Sequence, residues 1–402
     1  MVMYMAQIDF DKFRLKDIRI AGYRPFKDFR VGLTSLEVLI GANASGKSSL
    51  MELLRFLRNS AYQEIPSEII EGSSGMRIFH IPGEDRIEWA ASIDAGLSAD
   101  VVYSGRIVGP MGSIRVDHER VETSRQLSTK YDQPFLYMEL RNGEGMIYEP
   151  SLKKLQEQKI KLLKANQLAI STMNNPGLFM LYNLREYIQR WRFYNSFRIS
   201  NEQLRRPSIT EQEPMLHENA GNLSAVLLYL QTEYPETFER LKFYLGLMLP
   251  NFRNITVKAR GGPGQVMAFW SEGSVGEELT LADLSDGTLR ILCWALICVH
   301  PFPPTLVFVD EPDQGIHPRV YPILAELFKK LSDKTQVLLT THSSYFLSMF
   351  DIENILVLKK EDGDIKSFKP STSQALIDNL KEFGDQELEI MHRSGEFEMI
   401  GK

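Results

Sequence analysis

The sequence predicts an α/β fold: a mixed central sheet carrying a phosphate loop, an attached antiparallel β-lobe and a helical insertion. Three observations lead there. First, residues 41–48 read Gly41-Ala42-Asn43-Ala44-Ser45-Gly46-Lys47-Ser48, a complete GxxxxGK[ST] pattern. It lies between an apolar run at 36–40 and the helical spacing of Leu50, Leu53, Leu54, Phe56 and Leu57. Second, a near-continuous apolar run at 304–309 reads as a parallel strand covered on both faces, and it ends in Asp310 and Glu311. Third, a β-rich stretch closes in a hairpin signal at 137–148, after which the pattern turns helical. The expected organisation is 1–150 for the N-terminal part of the core with phosphate loop and β-lobe, 151–250 for the helical insertion, and 251–402 for the C-terminal part of the core.

Taken in order, residues 13–20 alternate as a strand and turn through Gly22 and Pro25 before the strand at 36–40. The phosphate loop follows. Backbone N–H groups from Gly41 through Asn43, Ala44, Ser45, Gly46, Lys47, Ser48 and Ser49 suit phosphate oxygens, and the following helix adds its dipole. Lys47 would reach the β/γ-phosphates and the Ser48 hydroxyl would ligate Mg²⁺. Strands are expected at 86–93, 101–103 and 112–116. Helix is expected over 153–168, too short for a coiled-coil arm, and over 221–249. Beyond 250 strands return at 255–258 and 265–270, and helix–strand alternation runs to about 345.

Ligands in parallel sheets bind beyond the carboxyl ends of the strands. Asp310 is therefore a candidate Mg²⁺ ligand and Glu311 a candidate base that orients and deprotonates water. A second apolar strand at 336–341 delivers His342, which suits a hydrogen bond to a γ-phosphate or to the lytic water. Glu311, His342 and Lys47 are the candidate catalytic residues. At 284–290, Leu284-Ser285-Asp286-Gly287-Thr288-Leu289-Arg290 opens an apolar helix. Ser285 caps it, and Gly287 lets backbone approach an anion.

Together these segments resemble the ABC-type ATPases. GANASGKS, LSDGT, LVFVDEP with the following Asp313-Gln314-Gly315-Ile316-His317-Pro318, and TTHS are similar to the Walker A, signature, Walker B, D-loop and H-loop motifs. The resemblance is to the RecF/SMC-like branch of AAA-family ATPases related to the OLD proteins, predicted ATPases of the AAA-21 type. It extends to Trp191-Arg192-Phe193-Tyr194, to 221–227 and to 353–358.

It implies ATP and Mg²⁺ as cofactors and a head-to-tail homodimer, with nucleotide held between Lys47 of one copy and Ser285 and Gly287 of the other. Asp313 would lie at the interface. The implied activity is an ATP-hydrolysing switch controlling a partner effector encoded nearby, in DNA repair or anti-phage defence. Two departures stand out: 76–83 contains no counterpart of the Q-loop glutamine, and no acid cluster among the 60 residues after His342 suggests a Toprim-type nuclease in cis. The alternatives are the nucleotide-binding subunit of a transporter and a slow ATP-dependent scaffold.

A net charge of −6 and pI near 5.8 argue against an obligate nucleic-acid packager, so any such contact needs a local patch. Six arginines between 185 and 206 interleave with Tyr187, Trp191, Phe193, Tyr194 and Phe197, a pattern that suits a nucleic-acid groove or, preferably, aromatics packed inside a lobe. The turn Tyr23-Arg24-Pro25-Phe26 suits nucleotide contact or plain turn formation equally. Cys293 and Cys298 sit in an apolar run as core residues, which fits a reducing compartment. No secretory pattern opens the chain and no apolar run reaches membrane-spanning length, so a cytoplasmic location without direct membrane insertion is expected.

Overall fold

The computed structural model describes residues 12–65, 78–110, 113–125, 133–151, 154–195, 205–212, 214–273, 276–361, 363–374, 376–378 and 386–394. The chain forms two compact units. One comprises Met1–Trp191 with Leu356–Pro370, the other Arg192–Ile355 with Ser371–Lys402.

The first unit opens with β1 (Arg14–Tyr23), β2 (Phe26–Gly32) and β3 (Leu36–Ile40), then α1 (Lys47–Ser60). There follow β4 (Arg86–Asp94), β5 (Val101–Val108), β6 (Arg115–Thr123), β7 (Leu136–Arg141), β8 (Glu144–Ser151), β9 (Lys154–Lys161) and α2 (Phe179–Gln189). Eight of these strands make one antiparallel sheet in the order β2-β1-β4-β5-β6-β7-β8-β9. Side chains along β4 and β5 alternate between buried and half-exposed, as one covered face requires. The apolar side of α1 covers part of that face, with Phe56 set edge-on to Trp89 at 6.2 Å.

At β9 the sequence expectation fails. Where helix is expected over 153–168, Lys154–Lys161 pairs with β8 from Ser151↔Lys154 to Glu144↔Lys161. The run has no helical apolar stripe to bury, so the ladder offered by β8 decides its conformation. A lysine-rich, polar sequence also suits the outermost strand of a sheet.

The second unit carries β10 (Trp191–Asn195, whose first residue still belongs to the first unit), β11 (Ser208–Ile209), α3 (Leu223–Glu233) and α4 (Pro235–Met248). Next come β12 (Phe252–Ala259), β13 (Gln265–Glu272), β14 (Leu279–Thr280), α5 (Asp286–Val299), β15 (Leu306–Asp310), α6 (Tyr321–Ser332), β16 (Gln336–Thr340) and α7 (Ser344–Leu347). The chain then supplies β17 (Ile355–Glu361) and β18 (Asp364–Phe368), most of which belongs to the first unit, and ends its described part with α8 (Gln386–Ser394) in the second. Here β10, β15 and β16 are successive neighbours, while β11, β13 and β12 form a small antiparallel sheet with β14 on β13. In the first unit β3 neighbours β17, which pairs antiparallel with β18.

The aromatic members of the arginine-rich segment are core side chains. Tyr187, Trp191, Phe193 and Tyr194 are all at most 1% exposed, which favours packing over a base-stacking platform; Phe197 and Arg198 lie outside the described residues. Cys293 is buried on α5 and Cys298 half-buried. Among the described residues, no helix is long and apolar enough to cross a membrane.

One buried carboxylate ties the β-lobe to the chain that follows it. Glu119 on β6 is fully buried and accepts hydrogen bonds from the Tyr103 hydroxyl (3.0 Å) and from the N–H groups of Ala169 (2.5 Å) and Ile170 (3.0 Å), at the start of a 3₁₀ turn over Ala169–Thr172. Burial outweighs those donors and raises its pKa to about 7. A carboxyl raised in the folded state holds its proton more tightly there than when unfolded. Its contribution to stability is therefore largest below the unfolded value and declines as pH rises towards 7, by about 3 kcal/mol in all. Urea titrations at pH 5.5 and 8 should show this slope in the parent and not in Glu119→Gln. That variant should also lose about 2 kcal/mol at pH 8, because its amide sets a donor against a backbone N–H.

Candidate functional site

In the first unit the phosphate loop is shaped by close backbone approaches. Gly41 ends β3 at φ +146°, and a Cβ there would lie 2.1 Å from the Leu358 carbonyl oxygen on β17. Gly46 has φ +97°, and a Cβ would lie 2.8 Å from the Phe26 ring. Glycine is the residue that meets both constraints. Ala44, with φ 65°, holds a left-handed conformation at the loop tip, where Ala42, Asn43 and Ala44 are exposed. Lys47 is 8% exposed and donates from Nζ to the carbonyls of Gly41 (2.5 Å) and Ala42 (3.2 Å). Ser48 is exposed on the first turn of α1, and Ser49 is half-buried beside it.

That first turn has no side-chain cap and no acidic residue. A 14-residue helix therefore begins with amide donors that no carboxylate or hydroxyl of the cap position satisfies. The buried Ser45 hydroxyl likewise has no hydrogen-bond partner. Donors of this kind fit a phosphate. Among the described residues there is no group of three histidine, cysteine or acidic side chains able to hold a metal ion.

The turn Tyr23-Arg24-Pro25-Phe26 packs beside this loop. Phe26 lies against Gly46, and Arg24 pairs with Glu52 on α1. His80 Nδ1 meets the Arg24 carbonyl at 2.8 Å, and Phe79 bridges Tyr23, so the stretch without a Q-loop glutamine braces the turn; Met76 and Arg77 lie outside the described residues.

In the second unit β15 and β16 run parallel, with Asp310 opposite Thr340. The Thr340 hydroxyl donates to Asp310 Oδ1 (2.6 Å) and accepts from the Glu311 N–H (3.0 Å). The Glu311 N–H also reaches the Thr340 carbonyl at 3.2 Å. Glu311 takes φ 51°, which turns the chain sharply out of the strand. Its carboxylate lies 3.7 Å from His342 Nε2, and both side chains remain partly open to solvent. Asp313 is 9% exposed and accepts from the Thr341 hydroxyl (2.9 Å); burial raises its pKa.

The signature segment lies against the D-loop of its own chain. Ser285 caps α5 through the Thr288 N–H at 3.2 Å, as its position predicts. A Cβ on Gly287 would lie 3.0 Å from the Gly315 carbonyl, and Arg290 Nη1 donates to the Gln314 carbonyl at 3.0 Å. Sequence reasoning gave Thr340 no role and counted Arg205 only as one of the arginine-rich run. The Arg205 guanidinium bonds to the carbonyls of Leu281 (3.3 Å), Ala282 (2.8 Å) and Leu284 (3.0 Å) and to Asp286 Oδ1 (2.8 Å). Thus the first unit brings together Gly41 to Ser49, and the second brings Asp310, Glu311 and His342 together around Thr340, with Ser285 and Gly287 beside the D-loop.

Comparison with known proteins bears on the fold. Residues 14–167 match a family described as "AAA ATPase domain", and residues 167–348 match one described as "AAA domain, putative AbiEii toxin, Type IV TA system". An Smc head bound to the C-winged helix domain of ScpA has a TM-score of 0.55 at 13% identity, covering 89% of this chain and 99% of that one. An Smc head with an extended coiled coil, bound to the C-terminal domain of ScpA derived from Pyrococcus furiosus, gives 0.53 at 10% identity, with coverage of 92% and 100%. At such identities the likeness shows the fold. No curated protein matches the chain.

Thr340 is the support whose removal is most easily read. Thr340→Val keeps volume and strand propensity but deletes the donor to Asp310 and one acceptor of the Glu311 N–H. A loss of about 1–2 kcal/mol is expected in chemical denaturation, with the circular dichroism of the folded state unchanged.

Proposed function

We propose that this chain is an ATP-binding and ATP-hydrolysing switch of the ABC/SMC-like AAA ATPases that closes head-to-tail on nucleotide and controls a partner effector, a reading supported by the two AAA family matches. The observation that carries the reading is the Walker B corner: one hydroxyl fixes Asp310 and the Glu311 backbone together, with His342 facing the Glu311 carboxylate.

Mg²⁺, when bound, would draw charge from the phosphate oxygens and stabilise the transition state. Ser48 is its candidate ligand in the first unit and Asp310 its candidate ligand in the second. Lys47 would exchange the carbonyls of Gly41 and Ala42 for β/γ-phosphate oxygens, while loop and α1 amides take the rest. Glu311 would accept a proton from the attacking water and pass it to solvent as phosphate leaves. His342 would donate a hydrogen bond to the γ-phosphate or to that water. Ser285 and Gly287 of a second copy would complete the γ-phosphate contacts, so nucleotide would join two copies and hydrolysis would part them.

Support for an effector comes from two sides. Both Smc heads whose fold this chain shares are bound to a domain of a partner, ScpA. The matched family's description names a toxin of a type IV toxin–antitoxin system, which favours a role in defence over DNA repair.

Glu311→Gln should bind ATP normally, cut steady-state turnover by about 100-fold or more, and elute as a dimer with ATP and Mg²⁺. A variant that hydrolyses at the parental rate and stays monomeric overturns the assignment. Lys47→Ala should weaken fluorescent-ATP binding by at least about tenfold and leave the thermal transition of the nucleotide-free protein in place.

A further inference from the structure

We infer that Arg205 is a positioning residue for the signature turn, acting through both shape and charge; the inference rests on the head-to-tail reading. Arg205 stands 76 to 81 residues from the atoms it holds, so its contacts are tertiary and not part of a local turn. The turn already closes by itself. Thr280 and Asp283 form a capping box, with Asp283 Oδ2 accepting from the Thr280 N–H at 2.8 Å and its hydroxyl at 2.7 Å. Ser285 independently caps α5. A guanidinium gathering three further carbonyls is therefore more than the turn needs in order to form.

Its first effect is directional. With the carbonyls of Leu281, Ala282 and Leu284 turned onto one guanidinium, the approach to the first turn of α5 is left to amide groups. All three carbonyls share one nitrogen, Nη1, while Nη2 takes Asp286; a planar fork holds these two nitrogens at a fixed separation, which an ammonium on a flexible stem does not.

The second effect is electrostatic. Asp286 is the acidic residue in the first turn of α5, and its side chain is 61% exposed. A carboxylate there favours the helix dipole but repels an incoming phosphate. Arg205 Nη2 binds that carboxylate at 2.8 Å, which offsets its charge and draws it to the guanidinium side. Arg205 thus prepares the second copy's γ-phosphate contact without touching nucleotide.

The test uses the full chain carrying Glu311→Gln, with ATP and Mg²⁺. It compares dimer affinity by sedimentation, fluorescent-ATP binding to the monomer, and melting temperature. Arg205→Lys should leave monomer binding and melting unchanged and weaken the ATP-dependent dimer by about tenfold or more. Arg205→Ala should weaken it further, and adding Asp286→Asn to Arg205→Ala should recover several-fold, because the unpaired carboxylate is gone. Unchanged dimerisation in Arg205→Lys overturns the inference. So does a loss in which monomer binding, melting and dimerisation fall together, the mark of a purely structural role. If Glu311→Gln alone fails to dimerise, the head-to-tail reading fails and takes this inference with it.

Discussion

The register between β15 and β16 is the constraint on which the second unit's site depends. Parallel pairing sets Asp310 opposite Thr340, so a single hydroxyl can donate to the acid at the end of one strand and accept from the amide that follows it. Because side chains alternate with period two, a one-residue slip would turn Thr340 to the other face and leave both groups without it. The apolar residues of the two strands, all buried from Leu306 to Val309 and from Val337 to Leu339, make such a slip costly, because each would enter a close-packed layer shaped for another side chain. Core packing and the geometry of the acids are in this sense one interaction.

The first unit solves a different problem, which is to bring backbone close to a ligand without side chains in the way. Gly41 is pressed against the β17 carbonyl and Gly46 against the Phe26 ring, so the loop is fixed from two sides by elements distant in sequence. The β1–β2 turn matters here as the wall that sets Gly46, and its arginine is anchored to α1 through Glu52.

Much of this was legible in the chain. The phosphate loop, the strand ending in two acids, the histidine at the end of the next apolar strand and the Ser285 cap are local patterns whose physics needs no tertiary information. What was not legible depends on pairing. Lys154–Lys161 has no period to betray it, and β8 alone makes it a strand. The role of Thr340 follows from its register with a residue 30 positions earlier, which no spacing rule supplies. Arg205 was read as one of a basic, aromatic run, whereas the described aromatics of that run are core and its own partners lie at the start of α5.

The back-bonding of Lys47 bears on how nucleotide would be received. A free lysine side chain forfeits about 2 kcal/mol of rotamer freedom when it is immobilised. Here the ammonium is already held by two carbonyls of its own loop, so most of that ordering has occurred before any ligand arrives. Phosphate binding becomes an exchange of acceptors within a preorganised cradle, and the loop's affinity is set by how much better a phosphate oxygen competes than a peptide carbonyl.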